Sequence, residues 1–118
     1  MYHKLTIVGN LGSDPIMKYT PDGKAVTTFS VAASNRKDET VWFRVTTWEK
    51  QAEVCNQYLH KGSRVLVEGA LKADAQGNPR TYERKDGGGW AASFEVVASS
   101  VKFLSGKSDD APDDDVPF

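Results

Sequence analysis

The chain has 118 residues, 39% of them hydrophobic and 26% charged, with a formal net charge of −1 and a single cysteine. That length suffices for one hydrophobic core and excludes a second full domain, and no run approaches the ~18 apolar residues of a membrane helix. The first dozen residues, MYHKLTIVGNLG, lack the marks of a secretory signal, and one thiol cannot close an intramolecular disulfide, so a reducing cytoplasm is the expected compartment.

In chain order, residues 3–11 (HKLTIVGNL) predict a first strand from β-branched and aliphatic side chains, broken at Gly12. TPDG at 20–23 predicts a turn, because proline presets φ and glycine accepts a positive one. Residues 25–33 (AVTTFSVAA) predict a second strand, 35–39 (NRKDE) a polar connection, and 40–48 a third strand. Residues 49–61 (EKQAEVCNQYLHK) have helical spacing, with Ala52, Cys55 and Leu59 on one face, Tyr58 beside them, and Gly62 placed to end the helix. Cys55 is accordingly expected in the core and not as a nucleophile. Residues 64–72 (RVLVEGALK) predict a fourth strand, the glycine-rich charged stretch 73–89 a long hairpin arm, and 91–104 a closing fifth strand. This is the order of an all-β OB-fold, a five-stranded Greek-key barrel with one helix between strands three and four.

Charge divides the chain in the same place. Residues 1–104 hold 14 Lys and Arg against 11 Asp and Glu, whereas 105–118 hold Lys107 and five aspartates. A mildly basic body is masked in the total by an acidic end. Residues 105–118 carry too few apolar side chains to fold alone and predict a disordered acidic C-terminal tail, leaving 1–104 as the folded domain.

The third strand carries the chemistry. Side chains alternate across a strand, so Val41, Phe43, Val45 and Thr47 share one face and Trp42, Arg44, Thr46 and Trp48 the other. If the first set is the core face, two indoles roughly 20 Å apart, at ~3.3 Å per residue, look outward with a cation and a hydroxyl between them. Exposed rings of this size invite a ligand. Nucleic-acid bases stack on such rings for about 1–3 kcal/mol each, and a guanidinium nearby holds a phosphate or adds a cation–π contact. The plainer alternatives are a tryptophan covering a barrel end or a subunit contact, and Arg44 as a structural ion-pair partner.

Cations and rings are interleaved elsewhere. Lys18 and Tyr19 precede the first turn, Arg36 and Lys37 lie in the second connection, and Lys72 ends the fourth strand. The arm carries Arg80, Tyr82, Arg84 and Lys85, and Trp90 follows its glycine run. A basic arm with aromatic rings suits a curved, charged strand better than a rigid small ligand.

Enzymatic readings find little support. His3 and His60 are far apart, one cysteine cannot build a zinc site of the usual spacing, and no cofactor or metal is implied. Neither GNLG at 9–12 nor DGGG at 86–89 fits a phosphate-binding loop opening a helix. Asp38 and Glu39 sit side by side in a polar connection, which is the setting of a solvated loop and not of a catalytic pair.

Five segments, VGNLGSDP at 8–15, KYTPDG at 18–23, WFRVTTW at 42–48, YLHKGSRVLVEG at 58–69 and DDDVPF at 113–118, resemble bacterial single-stranded DNA-binding proteins, in order and over nearly the whole chain. The resemblance implies an OB-fold, a homotetramer, sequence-independent binding of single-stranded DNA, and roles in DNA replication, repair and recombination in a bacterial, nucleoid-associated setting. Trp42 and Trp48 fall where that family carries stacking aromatics. Leu5, Ile7 and the rest of the first strand are expected to form an edge that pairs with another subunit. The terminal Asp113, Asp114, Asp115, Val116, Pro117 and Phe118 are expected to recruit replication, repair and recombination proteins: charge suits a basic rim, Phe118 an apolar pocket, and Pro117 lowers the ordering cost. This sequence departs from the family in its short connection at 34–39, in the placing of its arm rings at Tyr82 and Trp90, and in having almost no linker before the acidic tip. An OB-fold module for RNA or a protein partner is the alternative reading.

Overall fold

The computed structural model describes residues 1–104; the tail and tip, 105–118, lie outside the described residues. Its elements are β1 (Leu5–Leu11), β2 (Ile16–Tyr19), β3 (Ala25–Arg36), β4 (Glu39–Trp48), α1 (Glu49–Tyr58), β5 (Arg64–Leu71), β6 (Arg80–Glu83) and β7 (Trp90–Phe103). The five expected strands are β1, β3, β4, β5 and β7. They close on themselves: β1 pairs β5, β5 pairs β7, β7 runs parallel to β4, β4 pairs β3, and β3 returns to β1 at Asn10–Ala32 and Leu11–Val31. The helix falls between the third and fourth of these strands, so the barrel is the OB-fold that the element order predicts.

Alternation along each strand builds the core. Ile7, Leu11, Phe29, Val31, Val45, Val65, Val67, Val96 and Phe103 all point inward and are buried. Ala52 and Cys55 bring α1 over one barrel end, as their spacing predicts, and Leu59 is buried just past the end of the helix. Two buried threonines tie the helix down: Thr47 Oγ1 donates to the Thr27 carbonyl at 3.0 Å, and Thr27 Oγ1 to that of Ala52 at 2.7 Å. Gly9 permits closure, since a β-carbon there would stand 2.2 Å from the Ala32 carbonyl oxygen.

The structure departs from the sequence reading at the joints. The helix stops at Tyr58, before the expected Lys61, because Leu59 turns extended (φ −91°, ψ 150°) to bury its side chain. Gly62 therefore serves the following turn, donating its N–H to the Leu11 carbonyl at 2.9 Å. The TPDG turn is flanked by an unexpected short strand, β2, which makes it a hairpin with β3. β3 runs on to Arg36 because the polar connection is only a tight hairpin, in which Arg36 pairs Glu39 past a bulge. In the arm, β6 pairs β7 from Arg80–Ser93 to Glu83–Trp90. The first strand's Ile7 is turned into the core at 3% exposure, so any edge β1 offers is its backbone and not an apolar row containing that side chain.

Candidate nucleic-acid interface

The hairpin β3–β4 fixes the site. On β4, Val45 and Thr47 are fully buried, while Trp42 is 53% and Trp48 41% exposed, with Arg44 exposed between them. The register places Trp42 beside Ala32, Arg44 beside Ser30, Thr46 beside Thr28 and Trp48 beside Val26. Directly opposed residues on antiparallel strands share a face, so the β3 side chains beside the two rings are Ala32 and Val26, which leave the indoles about half uncovered.

A groove of about 900 Å³ runs over this face. Trp42, Arg44, Thr46, Trp48, Lys72, Arg80 and Tyr82 line it together, although they come from three separate elements or their ends. Tyr82 is half exposed, and Arg44, Lys72 and Arg80 bring cations to the groove from β4, the end of β5 and β6. The Arg44 guanidinium forms no ion pair among the described residues, which leaves its charge available.

The remaining residues singled out in the sequence lie apart. Lys18 stands one strand beyond the groove, opposite Val26 and on the same face. Tyr19 is opposite the buried Ala25 and so occupies the other face of β2. Arg36 and Lys37 are at the β3–β4 hairpin tip. Arg84 is held by Asp86 at 3.0 Å in the arm turn, next to Lys85. Trp90 is 72% exposed but pairs with Glu83, one position along from Tyr82, and alternation turns it to the opposite face of the arm. Of the two arm rings, only Tyr82 meets the groove.

Other elements complete the lining. Val26, Thr28 and Ser30 were legible as the outward set of the second strand. Phe94 and Glu95 were not, because the parallel β4–β7 pairing that sets Arg44 beside Glu95 leaves no local signal. Gly12 does more than break the first strand, since a β-carbon there would stand 2.4 Å from the Trp42 ring. The absent side chain makes room for the indole.

Cys55 takes no part in the site. It is buried under α1, and desolvation pushes its thiol up to about 12, with a contact to the Thr47 hydroxyl acting weakly the other way. Such a thiol stays protonated and inert. No helix among the described residues is long and apolar enough to cross a membrane.

Residues 2–104 match the model of the single-strand binding protein family. A "Single-stranded DNA-binding protein" of Neisseria meningitidis serogroup A is 36% identical over 117 residues, covering 92% of this chain and 63% of that protein. One from Xylella fastidiosa is 35% identical over 115 residues, covering 91% and 66%. "Single-stranded DNA-binding protein 1" of Chlorobaculum tepidum is 31% identical over 113 residues, covering 89% and 66%. The chain thus spans just under two thirds of the length of these relatives. With its barrel matched almost end to end, the chain belongs to the single-strand binding protein family.

Proposed function

We propose that this protein binds single-stranded DNA without regard to base sequence, coating exposed strands during replication, repair and recombination. One observation carries the reading: Trp42 and Trp48 stand exposed on one groove face, and between them lies Arg44, which forms no ion pair among the described residues. Rings stack on any base and cations follow any phosphate backbone, so such a face has affinity without a base code. Arg44, Thr46, Lys72, Arg80 and Tyr82 complete the contact, and Lys18 extends it across β2. Arg36, Lys37, Arg84, Lys85, Tyr19 and Trp90 then meet only a strand that leaves the groove. The protein holds its ligand and performs no chemistry on it. The names of the relatives support this reading.

The rest of the function follows the same resemblance. Residues 1–104 are the binding domain, and 105–118 are a tail whose tip, 113–118, recruits partner proteins. The working form is a homotetramer in the bacterial cytoplasm. β1 supports the assembly, since it pairs β5 from Leu5 to Asn10 but meets β3 only at Asn10 and Leu11, leaving one backbone edge open among the described residues. Light scattering that reports a stable monomer at micromolar concentration refutes the tetramer.

The decisive experiment is a titration of tryptophan fluorescence with dT oligomers of increasing length at two salt concentrations, with RNA oligomers of equal length as competitors. Quenching that saturates at a defined length, weakens with salt and resists RNA is expected. A chain that shows no quenching, or that prefers RNA, overturns the reading.

A further inference from the structure

Four charged side chains line the groove, and one of them has the wrong sign for a polyanion. Glu95 lies on β7 among the three cations. Arg44 is its register partner across the parallel β4–β7 pair, and the Lys72 N–H donates to the Glu95 carbonyl at 2.7 Å. Its carboxylate Oε2 accepts a hydrogen bond from Ser93 Oγ at 3.0 Å and faces Arg80 Nε at 3.8 Å. The side chain of Glu95 is 14% exposed, that of Arg80 57%. The acid is therefore part of the groove floor, and the arginine is the outer, more exposed member of the pair.

A carboxylate facing a guanidinium stands where a phosphate oxygen of a bound strand would stand. We infer that Glu95 is an internal counterion that stands in for phosphate whenever no strand is bound. It holds Arg80 over the groove and neutralises it; an incoming phosphate has to take Arg80 from Glu95 and then remain near a negative charge. The inference rests on the proposed binding of single-stranded DNA. Its consequence is a groove that binds less tightly than its cations allow and releases its strand faster. A coating protein that other enzymes must displace needs that property.

The experiment measures dT-oligomer affinity by tryptophan quenching for the wild-type chain, Glu95→Gln, Arg80→Gln, Arg44→Gln and the double variant Glu95→Gln/Arg80→Gln. Glutamine keeps the size of Glu95 and can still accept from Ser93. Glu95→Gln is expected to bind about three- to tenfold more tightly near 0.1 M salt, since one charge at close range is removed and only partly screened. Its plot of log K against log salt should steepen by ~0.7, one further cation becoming free to release a counterion. Arg80→Gln should weaken binding less in the wild-type background than in Glu95→Gln, a non-additivity that reports the pair directly. A comparison without any change at Glu95 keeps the inference falsifiable if that variant folds badly: Arg80→Gln should lose less affinity and less salt slope than Arg44→Gln. Glu95→Gln affinity at or below wild type, additive effects, or equal losses from Arg80→Gln and Arg44→Gln would overturn the inference alone. A wild-type chain that binds no dT oligomer at all takes the functional reading down with it.

Discussion

If the two faces of β4 have separate tasks, three alanine substitutions on neighbouring residues should give opposite phenotypes. A tryptophan offers roughly 250 Å² of surface, and Trp42 keeps 53% and Trp48 41% of theirs exposed. A stacked base covers one side of each ring, about half of what is exposed, or roughly 50–65 Å². At ~25 cal/mol per Å² that amounts to about 1.2–1.6 kcal/mol per ring, close to tenfold in Kd. Trp42→Ala and Trp48→Ala should each weaken dT-oligomer binding by about that factor, with the thermal midpoint nearly unchanged. Phe43 instead packs against the core, with its ring 5.9 Å from that of Phe94. Because it is only partly buried, Phe43→Ala should destabilise by ~2–3 kcal/mol, below the 3–5 of a fully buried phenylalanine. The midpoint should fall by roughly 10–20 °C while the folded fraction binds almost normally. Fluorescence titration and circular-dichroism melting read the two effects separately. A Trp42→Ala chain that unfolds beside a Phe43→Ala chain that only loses affinity would invert the faces and end the mechanism.

Gly12→Ala should keep the fold, since Gly12 does not need a positive φ, but push the Trp42 ring aside; a changed near-ultraviolet dichroism and a roughly three- to tenfold loss of affinity are expected. Cys55 should resist thiol reagents at pH 8 until the chain unfolds. Because its folded pKa is raised to about 12, its contribution to stability is complete below the usual thiol range and is lost as pH climbs toward 12, where the unfolded thiol ionises and the folded one does not; melting from pH 8 to 11 should show the decline, and Cys55→Ala should flatten it. Deleting residues 113–118 should abolish capture of partner proteins and leave DNA affinity equal or higher at low salt, while Phe118→Ala should lose the partner with DNA affinity unchanged. A Phe118→Ala chain that recruits its partners at full strength refutes the anchor.

The parts of this molecule legible in the sequence are those governed by local rules. Alternation over residues 40–48 assigns both faces of β4, helical spacing places Ala52 and Cys55 at the barrel end, and TPDG marks its hairpin. What local rules cannot carry is pairing between distant segments. The arm rings show this: Tyr82 and Trp90 are equivalent in the sequence, and only the β6–β7 register turns one to the groove and the other away. Glu95 is invisible for the same reason, being one charge in a closing strand until the parallel pairing sets it beside Arg44. Lys18 and Tyr19 are neighbours in sequence and occupy opposite faces because they lie on β2, a four-residue strand too short to show its alternation in the sequence.

Fold and site are therefore written in one code on β4. A strand's side chains have a period of two, so a slip of one residue against β3 would bury Trp42, Arg44 and Trp48 and expose Val45 and Thr47. Hydrophobic pattern alone discriminates poorly here, because tryptophan is itself apolar and an inward Trp42 would bury more area than valine. Arg44 makes the slip expensive, since an unpaired buried charge costs several kcal/mol. The threonines add direction: Thr47 Oγ1 meets the Thr27 carbonyl and Thr27 Oγ1 the Ala52 carbonyl only in the observed register. Arg44 thus forbids the wrong register of the strand whose right register puts it in the groove, between two rings that the same alternation turns outward.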